Sequence, residues 1–281
     1  TTNRFDQALL QPQYSSTEKC QRCFTMNFEH ILLDIEDQVA TITLNRPDTL
    51  NAMVPKMRHE LLMAVQAAND NERVRAVVIT GAGRGFCSGL DMKASRSPDT
   101  MAEKVSPVRD AVVLAIRDAG KPYIAAVNGA AAGGGMGVAL ACDIRIAATS
   151  AKFGQTFAKR GLHPDWGGTY FLPRLVGMAK AAELIWSGRV IDAAEALKLG
   201  IVSSVVDDAL AAAQSMARTF ASGPPIATQL SKRALYHNQE VPLREALEFE
   251  SYAQNICART EDAKEGIKAF LEKRDPEFKG L

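Results

Sequence analysis

The sequence predicts an α/β protein, with strands and helices alternating through the first 206 of its 281 residues and helices alone thereafter. Three observations carry that expectation. The runs RAVVITG (75–81), PYIAAVNG (122–129) and DIRIAA (143–148) read as short buried strands. Ahead of the first of them, Met57, Leu61, Ala64, Val65 and Ala68 recur at helical spacing, which predicts an amphipathic helix over 54–69. From about residue 207 the pattern is helical, in segments 207–221, 225–238 and 242–272 parted by Gly223-Pro224-Pro225 and Val241-Pro242.

In chain order, residues 1–25 are polar and read as a flexible extension, with Met26 a natural start of the folded part. HILLDIE (30–36) and QVATITLN (38–45), separated by Asp37, form a strand pair, and Pro47 and Asp48 then break the chain ahead of the first helix. AAAGGGMGVALAC (130–142) is a glycine-rich turn that runs into an apolar helix. The expected organisation is thus an extension (1–25), an α/β core (26–206) and a helical region (207–281). In the tail, Leu243, Leu247, Phe249, Ile256, Ile267, Phe270 and Leu271 suit a helical segment that caps its own core or a neighbouring subunit.

Composition narrows the function classes. There are 33 Lys+Arg against 32 Asp+Glu, so a net charge of +1 gives no reason to expect nucleic acid or a membrane surface as partner. No apolar run approaches the roughly 20 residues of a membrane span, and the N-terminus lacks the apolar centre of a secretion signal. A soluble cytoplasmic protein is expected. Five cysteines do not suggest a disulfide scaffold. Cys20 and Cys23 form a CxxC with no second pair to complete a zinc site, so free thiols are expected there and no metal. Cys142 and Cys257 sit in apolar helical patterns and are expected in the core.

Two glycine-containing strand ends suit an anion. GRGFCSGLDMK (83–93) follows the strand at 75–81, and NGAAAGGGMG (128–137) follows the strand at 122–129. The second places Gly133, Gly134 and Gly135 at a helix start, where unpaired N–H groups and the helix dipole favour negative charge. Neither is a dinucleotide fingerprint, because GAGRGF (81–86) lacks the last glycine, and no GK[ST] follows to make a P-loop. Each could be a packing turn. Paired, they could also hold the oxygen of a thioester enolate.

LNRPDTLNAM (44–53), RGFCSGLDMK (84–93), PYIAAVNGAAAGGGMGVALACDIRIAA (122–148), AKFGQTFAKRGLHPDWGG (151–168), LPRLVG (172–177) and FLEKRDPEFKG (270–280) together resemble the crotonase (enoyl-CoA hydratase/isomerase) superfamily. The resemblance spans about 26–281. It implies a crotonase-type spiral of ββα units with a C-terminal helical oligomerisation region, assembled as a trimer or a dimer of trimers. It further implies an acyl-CoA thioester as substrate, with neither a metal nor a redox cofactor. Carried over by position, the oxyanion donors are the backbone N–H groups of Leu90 and Gly134. The substrate and coenzyme A contacts fall on Thr49, Leu50, Ala52, Ser88, Gly89, Asp91, Met92, Gly133, Phe157 and Lys279. Basic residues near Arg46, Lys93 and Lys279 meet either phosphates or solvent.

The departures are as informative. Family hydratases hold water between two glutamates, and the corresponding positions here are Gly137 and Phe157. Neither can accept a proton. Asp165 stands where family isomerases carry their acid; the 4-chlorobenzoyl-CoA dehalogenase has an Asp nucleophile at this place, but residues 91–162 contain no histidine of the kind a dehalogenase needs. Taken alone, Asp165 also fits an Asx-type turn before Gly167-Gly168. With the resemblance, it is expected to be a lone proton shuttle, its carboxyl raised by burial beside Phe157 and Trp166. His163 is expected to be a loop or pocket-wall residue. The expected activity is an enoyl-CoA isomerase; a hydratase or hydrolase using Asp165 and a substrate-held water, and a non-catalytic acyl-CoA-binding protein, are the alternatives.

Overall fold

The computed structural model describes residues 28–94 and 108–281. The expected extension 1–25, with Cys20 and Cys23, lies outside the described residues. So do Pro98 and Pro107 of the segment Ala94–Ala119, which by sequence is a candidate wall for the acyl pocket.

A ββα unit repeats along the described chain. β1 (Ile31–Glu36), β2 (Val39–Leu44) and α1 (Pro55–Asp70) are followed by β3 (Ala76–Gly81), β4 (Gly85–Cys87) and α2 (Val108–Arg117). Next come β5 (Tyr123–Val127), β6 (Ala130–Ala132) and α3 (Gly134–Ala141), then β7 (Ile144–Ala148), β8 (Lys152–Gly154) and α4 (Gly168–Val176). The first unit is an antiparallel hairpin, turned at Asp37 and Gln38, which both hold positive φ. Each later unit sends its first strand into a six-stranded sheet of order β1-β2-β3-β5-β7-β10 and its second into a four-stranded sheet, β4-β6-β8-β9. The large sheet is parallel from β2 onward.

The central strands are buried on both faces, and their residues divide by parity, as a period of two requires. Val77, Ile79, Tyr123, Ala125 and Val127 join the main core with Met57, Leu61, Ala64 and Val65 of α1. Ala76, Val78, Ile124 and Ala126 face the other way, against Ala209, Ala213, Ala217 and Ala221 of α7 (Ala209–Ala221). That i, i+4 alanine stripe lets the helix lie close against the sheet.

Between the sheets and the tail run α5 (Met178–Ser187), β9 (Ile191–Asp192), α6 (Ala193–Lys198) and β10 (Ser204–Val206). The short strands β4, β6, β8, β9 and β10 carry too few residues for a pattern and are absent from the expected elements. After α7 and α8 (Pro225–His237), the segment expected to be one helix over 242–272 is two, α9 (Leu243–Cys257) and α10 (Glu261–Glu272). The reason is local: Thr260 is extended and its Oγ1 accepts the Ala263 N–H at 3.0 Å, restarting the helix. Cys142 is buried as expected, but Cys257 is only half-buried, because it ends α9 at this break. The chain end folds back on α10, with the N–H groups of Lys279 and Gly280 donating to the buried Asp262 carboxylate at 2.7 and 2.9 Å.

Candidate active site

Two loops that the repeat brings side by side form the site. The first follows β4 and is fixed against residues 46–53. Ser88 N–H donates to Leu50 O (2.9 Å), Met53 N–H to Gly89 O (2.7 Å) and Asp91 N–H to Met53 O (3.0 Å), and Ser88 Oγ reaches Thr49 O at 3.1 Å. Arg46 completes the unit by donating to Ala52 O and to Asp91 Oδ2, the latter from both Nη1 and Nη2 at 3.0 Å. Although burial pushes the Asp91 carboxyl up, the Ala94 N–H, Arg46 and the Lys93 N–H hold it below the ordinary value. Arg46 is therefore engaged inside the protein in an ion pair, with its side chain 20% exposed. Its role is to clamp 49–52 to 88–92.

The second loop ends β6 and opens α3. Gly133 has φ +52 and Gly134 is the first residue of the helix. Gly89, at φ +91, touches it: a Cβ there would lie 2.8 Å from Ala132 O and 3.5 Å from Gly134 N. Leu90 N–H faces away from its bridge to Met53, and Gly134 N–H has no preceding helical turn to bond. Neither amide has a hydrogen-bond partner among the described residues. Two unpaired donors on touching loops are the raw material of an oxyanion site.

Leu90 and Gly134 line a cleft of about 310 Å³ together with Ser88, Gly89, Met92, Gly133, Phe157 and Asp165, so these sequence-selected residues do come together. Thr49, Leu50, Ala52 and Asp91 do not line it, but buttress the wall from behind. Lys279 is absent from the lining; it sits on the tail beside α10, tied through its backbone to Asp262. His163 lines the cleft mouth as an exposed side chain, in line with its expected place on the pocket wall.

The two positions lacking glutamate are filled with aromatic carbon. A Cβ on Gly137 would stand 2.3 Å from Trp166 Cβ, and one on Gly134 would stand 2.8 Å from Trp166 Nε1, so the indole lies along the first turn of α3. Trp166 is 5% exposed and takes a left-handed φ of +54, which turns its ring inward from the loop. The Phe157 ring approaches the Cβ position of Gly133 to 3.6 Å from across the cleft.

Asp165 is the cleft's one carboxylate among the described residues; its other charged lining groups are Arg58, Arg109 and Arg160. Its side chain is 29% exposed, while Oδ1 is enclosed with no hydrogen-bond partner, so Oδ2 is the oxygen open to the cleft. Oδ2 accepts from Arg109 Nη1 at 2.8 Å. Burial raises the carboxyl above its ordinary value, and the Arg109 charge and hydrogen bond oppose that rise without cancelling it. The expected effect of burial is present; the Arg109 partner has no sign in the sequence. It lies 56 residues away, at the start of α2, and no spacing pattern links the two.

A spiral of ββα units with paired loop amides over an apolar cleft is the arrangement of the crotonase fold, and the family follows from sequence as well. The model of the enoyl-CoA hydratase/isomerase family matches residues 34–281, and the chain belongs to that family. It is similar to the (E)-benzylidenesuccinyl-CoA hydratase of Thauera aromatica, 39% identical over 254 residues, which cover 89% of this chain and 99% of the relative. The 1,2-epoxyphenylacetyl-CoA isomerase of Escherichia coli strain K12 is 39% identical over 260 residues, with 90% and 99% covered. Among solved structures, an enoyl-CoA hydratase from Bacillus anthracis superposes with a TM-score of 0.86 at 36% identity, covering 90% of this chain and all of that one.

Proposed function

We propose that this family member is an enoyl-CoA isomerase that moves a carbon–carbon double bond within an acyl-CoA thioester. Asp165 Oδ2 takes a proton from the α carbon of a β,γ-unsaturated thioester, and the electron pair spreads onto the carbonyl oxygen as a dienolate. The N–H groups of Leu90 and Gly134 hold that oxyanion; a donor of this kind typically contributes about 2.7–4 kcal/mol. The same carboxyl returns the proton at the γ carbon, which leaves an α,β-unsaturated thioester. No water enters or leaves.

The observation that carries the reading is the replacement of both water-holding positions by aromatic carbon. Trp166 covers Gly137 and Phe157 faces Gly133, so Asp165 is the one carboxylate left to act among the described residues. Coenzyme A is assigned to the face of Ser88, Gly89 and Met92, which Thr49, Leu50, Ala52 and Asp91 support from behind. Neither a metal nor a redox cofactor is required by this scheme. The enzyme is further proposed to be cytoplasmic and a homotrimer or dimer of trimers.

Asp165→Asn tests the shuttle. Double-bond migration is expected to fall by about 10²–10⁴, with binding of the acyl-CoA unchanged; near-full turnover in that variant would rule the assignment out. A second reading, hydration with Asp165 and a substrate-held water, has support in the names of relatives such as the benzylidenesuccinyl-CoA hydratase. Turnover in ¹⁸O-labelled water separates the two, because hydration puts the label into product and isomerisation does not.

A further inference from the structure

Among the described residues, no side chain of its own loop holds the carboxylate proposed as the shuttle. Its open oxygen, Oδ2, is engaged by a group from a different unit of the fold: Arg109 Nη1, in the first turn of α2, at 2.8 Å. The other oxygen is turned inward and accepts no hydrogen bond among the described residues. A carboxylate oxygen has two lone-pair directions, and a guanidinium N–H fills one of them. The second direction on Oδ2 remains for a proton from the cleft.

From this geometry, and resting on the isomerase reading above, we propose that Arg109 is the positioning residue of the reaction: it fixes the plane of the Asp165 carboxylate and leaves one defined lone pair of Oδ2 to carry the proton. Two further properties follow. Arginine stays protonated throughout, so it cannot compete for the travelling proton. It also favours the ionised carboxylate, which the first step needs, against a burial effect that pushes the other way. Among the described residues, the remaining charged groups around Asp165 are Asp110 beside Arg109 on α2, Arg160 and His163 on the loop that precedes Asp165, and Arg58 across the cleft on α1. Asp110 raises the carboxyl, as burial does, and the Arg109 contact is the largest influence opposing both.

The test is the pH dependence of kcat and KM for isomerisation of trans-3-hexenoyl-CoA by the full chain, with Arg109→Gln, Arg109→Lys and Asp165→Asn beside the unaltered protein. Removing an influence that lowers the carboxyl raises its pKa, so the acid limb of kcat in Arg109→Gln is expected to move to higher pH. Its plateau kcat is expected to fall by about tenfold or more as the carboxylate loses its fixed plane, with KM changed far less. Arg109→Lys, which keeps the charge and loses the planar fork, is expected to restore the limb while leaving kcat depressed. An Arg109→Gln enzyme whose limb does not move, or that turns over faster than the original, overturns the proposal; in the latter case the ion pair is a cap to be displaced. Should Arg109→Gln not fold, the Lys variant decides by the same two readouts, since an undiminished kcat there removes the positioning role. Full turnover in Asp165→Asn brings down the isomerase reading and this inference together. A dead Asp165→Asn beside an unchanged Arg109→Gln brings down this inference alone.

Discussion

Gly137 has no side chain because Trp166 occupies the space into which one would project, its Cβ only 2.3 Å from the position a new Cβ would take. Gly137→Glu is therefore expected to force the indole aside, costing about 1–3 kcal/mol in a packed interior, and to give no water addition. Chemical denaturation and a hydration assay on crotonyl-CoA check both halves; appearance of hydratase activity in that single variant would count against a cleft sealed by aromatic rings. The pH profile belongs to the same scale. The proposed isomerisation needs Asp165 ionised, and its carboxyl lies above the ordinary value because burial outweighs Arg109. The acid limb of kcat/KM is thus expected above the usual aspartate value of about 3.9, and a limb at or below it would contradict the burial of this group. Through its resemblance to the family, the sequence exposes Asp165, Gly137 and Phe157 as one acid and two missing glutamates. It carries no sign of Arg109, because an ion pair across 56 residues has no periodicity to read.

At the scale of elements, the first helix of the tail beyond the sheets is fastened to the core by a buried charge network. Lys232 of α8 lies 2.9 Å from Asp143 Oδ2 and donates to Ile116 O at 3.0 Å and to Lys121 O at 2.9 Å. Asp143, at the foot of β7, also accepts from Tyr123 N–H and from the Tyr236 hydroxyl of α8, and Arg117 stacks on the Tyr236 ring. Burial lowers the Lys232 ammonium pKa, while the Asp143 charge opposes that fall. Asp143→Asn would strand that ammonium and is expected to destabilise the fold by about 3–5 kcal/mol, read as a lower denaturation midpoint with unchanged m-value. If the loss stays below about 1 kcal/mol, the pair behaves as an exposed one. A gentler prediction concerns the break between α9 and α10: Thr260→Ala removes the cap on Ala263 and is expected to cost about 1 kcal/mol, measurable in the same titration. Apolar spacing made the 242–272 segment look continuous, because a cap hydroxyl is invisible to hydrophobic periodicity.

Over the whole molecule, the tail and the outer helices leave large apolar side chains uncovered. Phe270 is 82% exposed, Leu271 75%, Leu243 74% and Trp186 79% in the single chain. Isolated apolar residues are normal on surfaces, but several on neighbouring turns of α9 and α10 suit contact with further copies of this chain. In light-scattering chromatography the protein is expected to run at a multiple of 30.4 kDa, three- or six-fold under the proposed assembly. Phe270→Glu with Leu271→Glu is expected to lower that multiple, and a monomeric unaltered protein would dispose of the assembly.

The sequence by itself determined the alternation of strands and helices, the two glycine loops and the single acid among small and apolar neighbours, since each is a local matter of side-chain period or backbone freedom. It marked the six-residue strands and α1 to within a residue or two, because burial of one face imposes a pattern on consecutive residues. Only the tertiary structure decided what surrounds that acid. Trp166 against Gly137, Phe157 over Gly133 and Arg109 on Oδ2 are contacts made by the winding of the ββα units. Such contacts depend on the three-dimensional path of the chain, and no short stretch of residues encodes them.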